Sequence, residues 1–319
     1  MRNMAKKSNK ISIIGAGAVG ATLAQRVLES GLADVVLVDI AKGVAQGKSL
    51  DLLDAAPIIG HERDIIGTDD YSHIKSSEIV IITAGFPRKP GMSREDLIAK
   101  NAGIVKEVSE NVKKYSPEAI VIVVTNPLDL MTYLCYKTTG FMRERVLGMA
   151  GVLDSSRFTY LIANELKVPR SSVETYMLGS HGDTMVPVIS KTRVAGKEIR
   201  KVLSKDKLDI IVKRTCDRGA EIVGLLGSGS AYYSPSAAVF KMLDVILKDS
   251  GETLVVSANL EGEYGMEDIS IGVPCKIGKN GIEKIIELEL AQDERCAFVK
   301  SAEAIKKSIK SVSKMLSAI

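Results

Sequence analysis

Three glycines directly behind the first aliphatic run constrain this chain more than any other feature. Ile11 to Ile14 reads as a strand, Gly15-Ala16-Gly17-Ala18-Val19-Gly20 follows at once, and Ala18 to Ser30 reads as the helix that the turn opens. A glycine at 15 permits the tight turn, one at 17 lets backbone approach a pyrophosphate, and one at 20 allows close helix packing. The helix N-terminus adds oriented N–H groups and partial positive charge for phosphates. Asp39 ends the next aliphatic run, where a carboxylate accepts hydrogen bonds from a ribose diol and repels a 2′-phosphate. The expected ligand is therefore NAD, not NADP.

The rest of the first half repeats the rhythm. Asp34 to Val38, Asp64 to Gly67, Ile79 to Thr83, Ala119 to Val124 and Val146 to Gly148 are candidate strands, apolar without alternation and so buried on both faces. Helices are expected at Gly43 to Ala56, Arg94 to Tyr115 and Asp129 to Thr139, giving an α/β class, doubly wound parallel sheet of Rossmann type. Beyond residue 150 the order changes. Helices are expected at Asp154 to Leu166, Asp206 to Val223, Ser236 to Lys248 and Asp293 to Leu316. β runs are expected at Ser172 to Met177, Pro187 to Val194, Thr253 to Leu260, Ile269 to Ile277 and Ile282 to Ile286, with a turn at Gly278 to Gly281. A chain of 319 residues exceeds what one small core organises, so two domains are expected, 1–150 for the cofactor and 151–319, an α+β half, for substrate and catalysis.

Other classes are disfavoured by composition. The 43 basic and 39 acidic residues are mixed along the whole length, without the basic stripe that nucleic acid requires. No stretch reaches the roughly 18 apolar residues of a membrane span, and the basic start is not followed by a signal-type apolar region. The cytoplasm is the expected compartment. Cys135, Cys216, Cys275 and Cys296 are far apart and read as reduced thiols, and no metal site is expected.

With a glycine turn and Asp39 pointing to a nicotinamide cofactor, the remaining question is what could complete a hydride transfer. A 2-keto acid needs a proton donor at its carbonyl, a cation for its carboxylate and exclusion of water. His181 sits in Gly179-Ser180-His181-Gly182-Asp183, a glycine-flanked turn leaving a strand, whereas His61 and His73 lie in polar stretches of the first half. Asp154 and Arg157 are three apart on one helix face, where a carboxylate could hold the His181 tautomer and a guanidinium could grip a carboxylate. Gly85-Phe86-Pro87-Arg88-Lys89-Pro90-Gly91-Met92-Ser93-Arg94 follows the fourth strand and suits a cationic lid over an anion.

Taken together, these residues resemble the lactate/malate dehydrogenase family, most closely its lactate-dehydrogenase-like malate dehydrogenases. The likeness runs from the glycine turn to Gly262-Glu263-Tyr264-Gly265, Asp268 and Val273-Pro274. It implies His181 as acid/base, Asp154 as its partner, Arg157 on the substrate carboxylate and Arg94 polarising the reacting carbonyl. Asn126, in Val124-Thr125-Asn126-Pro127, would touch substrate and nicotinamide, with a cis bond to Pro127. Thr83, Ala84, Gly85 and Asn101 match cofactor-contacting positions, beside Gly15 to Gly20 and Asp39. Arg88 stands where malate enzymes of the family carry arginine and lactate enzymes usually carry glutamine, which favours the dicarboxylate malate and a step of the tricarboxylic acid cycle. The resemblance also implies a homo-oligomer, a tetramer in preference to a dimer.

The alternatives are of different kinds. L-lactate dehydrogenase shares every residue above except the choice at Arg88. A methyltransferase could use a similar loop for its adenosine, because fold does not fix function. NAD-dependent glycosidases resemble the family in fold but rely on a metal held by Cys and His, and no Cys neighbours His181 in sequence. A non-catalytic NAD-sensing module would need the glycine turn but not His181, Asp154 and the three arginines.

Overall fold

The computed structural model describes residues 9–86 and 94–316, without the side chains of Arg94 and residues 313–316. The first half alternates as its apolar runs require. Its elements are β1 (Lys10–Ile14), α1 (Ala18–Glu29), β2 (Asp34–Val38), α2 (Val44–Ile59), β3 (Ile65–Thr68), β4 (Ile79–Ile82), α3 (Arg94–Tyr115), β5 (Ile120–Val123), α4 (Leu128–Thr139) and β6 (Val146–Gly148). All six strands pair in parallel in the order β3-β2-β1-β4-β5-β6. Every residue of β4 and β5 is buried, because helices cover both faces and leave no polar side to the sheet. The direction of winding reverses between β1 and β4, and such a switch point opens a crevice at the carboxyl ends of the strands.

The second half comprises α5 (Gly151–Leu166), β7 (Val173–Glu174), β8 (Met177–Gly179), β9 (Met185–Pro187), β10 (Arg193–Val194), β11 (Lys197–Glu198), α6 (Lys205–Leu226), α7 (Tyr233–Lys248), β12 (Thr253–Glu261), β13 (Glu267–Gly278), β14 (Gly281–Ile285) and α8 (Gln292–Leu316). Its main strands do not form a sheet of their own. β12 pairs with β6 through Ser257 and Gly148, and the order continues β12-β13-β8-β9 with antiparallel pairing, so that eleven strands of the described residues form one sheet. Gly148 is what allows the join. A Cβ there would lie 2.4 Å from Thr132 Oγ1 and 2.7 Å from Ser257 Cβ, closer than real side chains come.

Four expectations need correction in detail. The run Ser172 to Met177 is not one strand: Val173–Glu174 pairs with β10 in a small separate sheet, and Met177 begins β8 of the main sheet. α2 passes through Pro57 to Ile59 instead of stopping at Ala56, because one missing N–H does not end a helix that has a left-handed glycine cap, Gly60 at φ 85°, available three residues on. The run Pro187 to Val194 is not one strand: a 3₁₀ turn at Ile189–Lys191 interrupts it. Glu294 of α8 takes the Ser190 N–H at 2.8 Å and its hydroxyl at 2.7 Å, a distant side chain overriding local β propensity. α5 starts at Gly151, three residues earlier than expected, so Asp154 lies inside the first helical turn and is not its cap. Early entry requires a glycine, since a Cβ at 151 would meet Val255 Cγ1 at 2.2 Å and the Met177 carbonyl at 2.6 Å.

Gly148→Ala should therefore weaken the joint between the two halves. Overpacking of this kind typically costs about 1 to 3 kcal/mol. The expected result is a lower urea midpoint by tryptophan-free probes such as far-UV circular dichroism; an unchanged midpoint would mean that Thr132 and Ser257 move aside freely.

Candidate active site

The glycine turn sits at the switch point and is tied down on every side. The Gly15 N–H donates to the Val38 carbonyl at 2.8 Å, and Thr83 Oγ1 donates to the Gly15 carbonyl at 2.9 Å. Gly15 itself has φ 108°, and a Cβ there would lie 2.6 Å from Ala84 N. Gly20 is tighter still, with a Cβ only 1.9 Å from the Gly15 carbonyl oxygen. Around Gly17 nothing lies within 4 Å of a Cβ position, so the open side of the turn is the side the helix N-terminus faces. Two glycines without room and one with space are what close packing plus an approaching pyrophosphate require. Asp39 follows β2 directly. Its Oδ2 accepts from Ala16 N–H at 2.7 Å and its Oδ1 from Ala41 N–H at 2.9 Å, which sets a carboxylate beside the turn. Lys48, which the sequence did not single out, donates to the Ala16 carbonyl at 2.6 Å.

Thr83, Ala84 and Gly85 continue β4 over the same edge, and Val124 and Thr125 continue β5. Thr125 Oγ1 donates to the Ala84 carbonyl at 2.6 Å. The Asn126–Pro127 bond is cis, and the Asn126 side is exposed. Asn101 on α3 is buried at 2% exposure and braces this edge: it accepts from Phe86 N–H at 2.8 Å and donates to the Asn126 carbonyl at 2.7 Å. Its side chain thus fixes backbone positions on two neighbouring loops.

The second cluster is assembled by the hairpin β8–β9. Residues 180–184 form its turn, Gly179 has φ 84°, and Ser301 of α8 holds Ser180 N–H at 2.8 Å. His181 Nδ1 lies 2.8 Å from Asp154 Oδ2, and Arg157 Nη1 lies 3.4 Å from Asp154 Oδ1. The three side chains are 15%, 3% and 12% exposed, so the row is largely desolvated. A carboxylate only accepts, so Nδ1 carries a proton and Nε2 is the nitrogen left to exchange one. Burial works against the imidazolium, but Asp154 and then Asp129 outweigh it and hold His181 above the ordinary histidine pKa. Burial pulls the Arg157 guanidinium down, opposed by Asp154, without threatening its charge. Among the described residues, Arg157 Nε is a buried donor without a hydrogen-bond partner.

Asp129 is the group that sequence reasoning missed. It is 3% exposed in α4, accepts from His181 N–H at 2.8 Å and from Ser257 Oγ at 2.7 Å. A lone acid in Leu128-Asp129-Leu130-Met131, two residues beyond Pro127, was the available signal. Arg88 and the side chain of Arg94, both expected at the site, lie outside the described residues.

Comparison with known proteins is consistent along the whole length. Residues 9–148 match the lactate/malate dehydrogenase NAD binding domain and residues 151–316 the lactate/malate dehydrogenase alpha/beta C-terminal domain. A malate dehydrogenase of Geobacillus kaustophilus is 50% identical over 305 residues, 95% of this chain and 98% of that one. One from Methanosarcina barkeri is 50% identical over 300 residues, 94% and 98% of the two chains. Among solved structures, the malate dehydrogenase of Picrophilus torridus superposes with TM-score 0.94 at 43% identity, covering 98% of this chain and 99% of that one. The lactate dehydrogenase of Cryptosporidium parvum complexed with lactic acid and nicotinamide adenine dinucleotide gives 0.93 at 40% identity, covering 97% and 99%.

The glycine geometry allows packing and cofactor binding to be tested apart. Gly17→Ala, with open space around its Cβ and φ −67°, should keep the parental melting temperature yet weaken NADH binding at least about tenfold. Gly20→Ala should lower the melting temperature itself. Fluorescence titration with NADH beside thermal unfolding checks both; parental NADH affinity in Gly17→Ala would remove the turn from the cofactor site.

Proposed function

The chain belongs to the lactate/malate dehydrogenase family, and from that membership we propose that it interconverts malate and oxaloacetate with NAD as hydride carrier. The observation that carries the reading is the buried row of Arg157, Asp154 and His181, in the same sheet framework as the glycine turn. Residues 1–150 would hold the cofactor and 151–319 would supply the acid/base. The turn Gly15, Ala16, Gly17, Ala18, Val19 and Gly20 would take the pyrophosphate and Asp39 the ribose. Thr83, Ala84, Gly85, Asn101, Val124, Thr125 and Asn126 would line the nicotinamide end.

When bound, the nicotinamide supplies a hydride to the keto carbon. The chain does the rest. Arg157 grips the carboxylate next to that carbon, its unpartnered Nε being one donor for the task. Asn126 and Arg94 orient and polarise the carbonyl. His181 Nε2–H gives its proton to the carbonyl oxygen as the hydride arrives, leaving a neutral imidazole whose Nδ1–H stays on Asp154. A raised His181 pKa keeps the reducing form protonated closer to neutral pH, so reduction falls, and malate oxidation rises, as pH climbs through that value.

Arg88 would pair with the far carboxylate that distinguishes oxaloacetate from pyruvate. The lactate enzyme of Cryptosporidium parvum keeps the second reading in play. We also propose a homo-oligomer, a tetramer in preference to a dimer, working in the cytoplasm in the tricarboxylic acid cycle. Leu50, Ile58 and Ile59 on α2 and Ile210 on α6 are 63%, 85%, 52% and 65% exposed, apolar surface of the kind a second copy covers. Among the described residues, no helix is long and apolar enough to cross a membrane.

His181→Asn should leave NADH binding nearly intact and lower kcat by about 10² to 10⁴. Equal kcat in mutant and parent would sink the assignment. Arg88→Gln should lower kcat/KM for oxaloacetate by at least about 30-fold while pyruvate stays level or improves. Steady-state NADH oxidation with each keto acid decides it, and an unmoved oxaloacetate to pyruvate ratio would return the case to lactate.

A further inference from the structure

The proton transfer has no use for Asp129, yet this carboxylate is more deeply buried than the histidine it touches. It stands in the first turn of α4, where the helix dipole favours an anion. Its Oδ2 takes the backbone N–H of His181 at 2.8 Å and its Oδ1 the hydroxyl of Ser257 on β12 at 2.7 Å. One group therefore links α4, the catalytic hairpin turn and the strand that joins the two halves. The same helix start follows Asn126 and Pro127, so the proton donor and Asn126 are referenced to a single turn of backbone.

Anchoring alone would not call for a charge. An asparagine offers the same acceptor oxygen to His181 N–H without the cost of burying an anion. A buried charge has to be compensated; the start of α4 and two hydrogen bonds do so in part, and the imidazolium of His181 supplies an opposite charge beside it. We propose that Asp129 is a positioning residue of the reaction: a second carboxylate that fixes the backbone of His181 and stabilises its protonated ring, while Asp154 holds the ring itself. This rests on the reading of His181 as acid/base.

The surrounding groups agree with that sign. Asp154 and Arg157 face His181 from α5 and Asp129 from α4, with Asp154 and Asp129 favouring the imidazolium and Arg157 opposing it. Asp183 lies in the same turn, and on α6 Cys216 feels Asp154 and Asp183 while Arg218 acts on Arg157. Ser257 and Ser301 contribute neutral hydroxyls from β12 and α8. The cations Arg88 and Arg94 of the lid segment have side chains outside the described residues. Burial pushes the Asp129 carboxyl up, against the pull of the Ser257 hydroxyl, the His181 N–H, the His181 ring charge and the Ser180 side chain. Taking any of these away would therefore favour its neutral form.

Asp129→Asn is nearly isosteric and can keep both hydrogen bonds, because the Ser257 hydroxyl can accept as well as donate. The measurement is kcat/KM against pH in both directions, oxaloacetate with NADH and malate with NAD. Losing the charge lowers the His181 pKa, so the falling limb of reduction and the rising limb of oxidation should both move to lower pH, by about one pH unit. On the alkaline side oxaloacetate reduction should drop about tenfold, while on the acid side malate oxidation should rise about tenfold. A purely structural lesion would lower both at every pH. If Asp129→Asn does not fold, Ser257→Ala serves, with the same direction of movement at smaller size. Limbs that stay in place in an active, folded variant overturn the proposal. A parent that does not reduce oxaloacetate at all overturns the functional reading instead, so the two failures are distinguishable.

Discussion

The two halves of this molecule meet across one backbone pairing, Ser257 of β12 against Gly148 of β6, and the site is organised around that contact. The parallel half ends there, and the antiparallel half begins. Because position 148 has no Cβ, β12 comes close enough for the Ser257 hydroxyl to reach Asp129 behind it. Asp129 in turn holds the N–H of His181. A sheet that continues from one half into the other sets the glycine turn and the β8–β9 turn within one framework, since both are carried on strands of the same sheet.

Charge is concentrated beside that contact. Asp129, Asp154 and Arg157 are all withdrawn from water, an arrangement that contributes little to stability by itself and is destabilising whenever a member lacks its partner. Here the partners are distributed over α4, α5 and the β8–β9 turn, so the charges are satisfied only when those three elements are docked. The same dryness strengthens their action on the imidazole, which is held above its ordinary pKa despite burial. Elsewhere the described surface carries exposed ion pairs such as Lys137 with Asp268, which are screened and worth little.

Much of this was legible in the chain. The parallel strands announce themselves because burial on both faces removes polar alternation, and Asp34–Val38, Val146–Gly148 and Arg94–Tyr115 run where the residue pattern puts them. The glycine turn is legible because Gly15 and Gly20 have no room for a Cβ, a constraint that leaves glycine as the residue written there. His181, Asp154 and Arg157 were legible as chemically suited residue types, though nothing local says they touch. Asp129 was hidden among apolar neighbours of a helix, since its reason for existing is a backbone N–H 52 residues away. The break at Ile189–Lys191 was hidden for the same cause, its determinant being Glu294 on the last helix.

Sequence by itself determined most of the strands and helices, the strand–turn–helix around Gly15 to Gly20 and which side chains have the chemistry of an acid, base or cation. These follow from periodicity, from glycine's missing Cβ and from side-chain chemistry, all of which are properties of neighbouring residues. Only the tertiary structure decided that the sheet continues through Gly148 and Ser257, that His181 and Arg157 share the Asp154 carboxylate, and that two acids converge on His181. Those outcomes depend on contacts between residues far apart in the chain, and the free energy of burying charge fixes them only once the apolar core has brought the elements together.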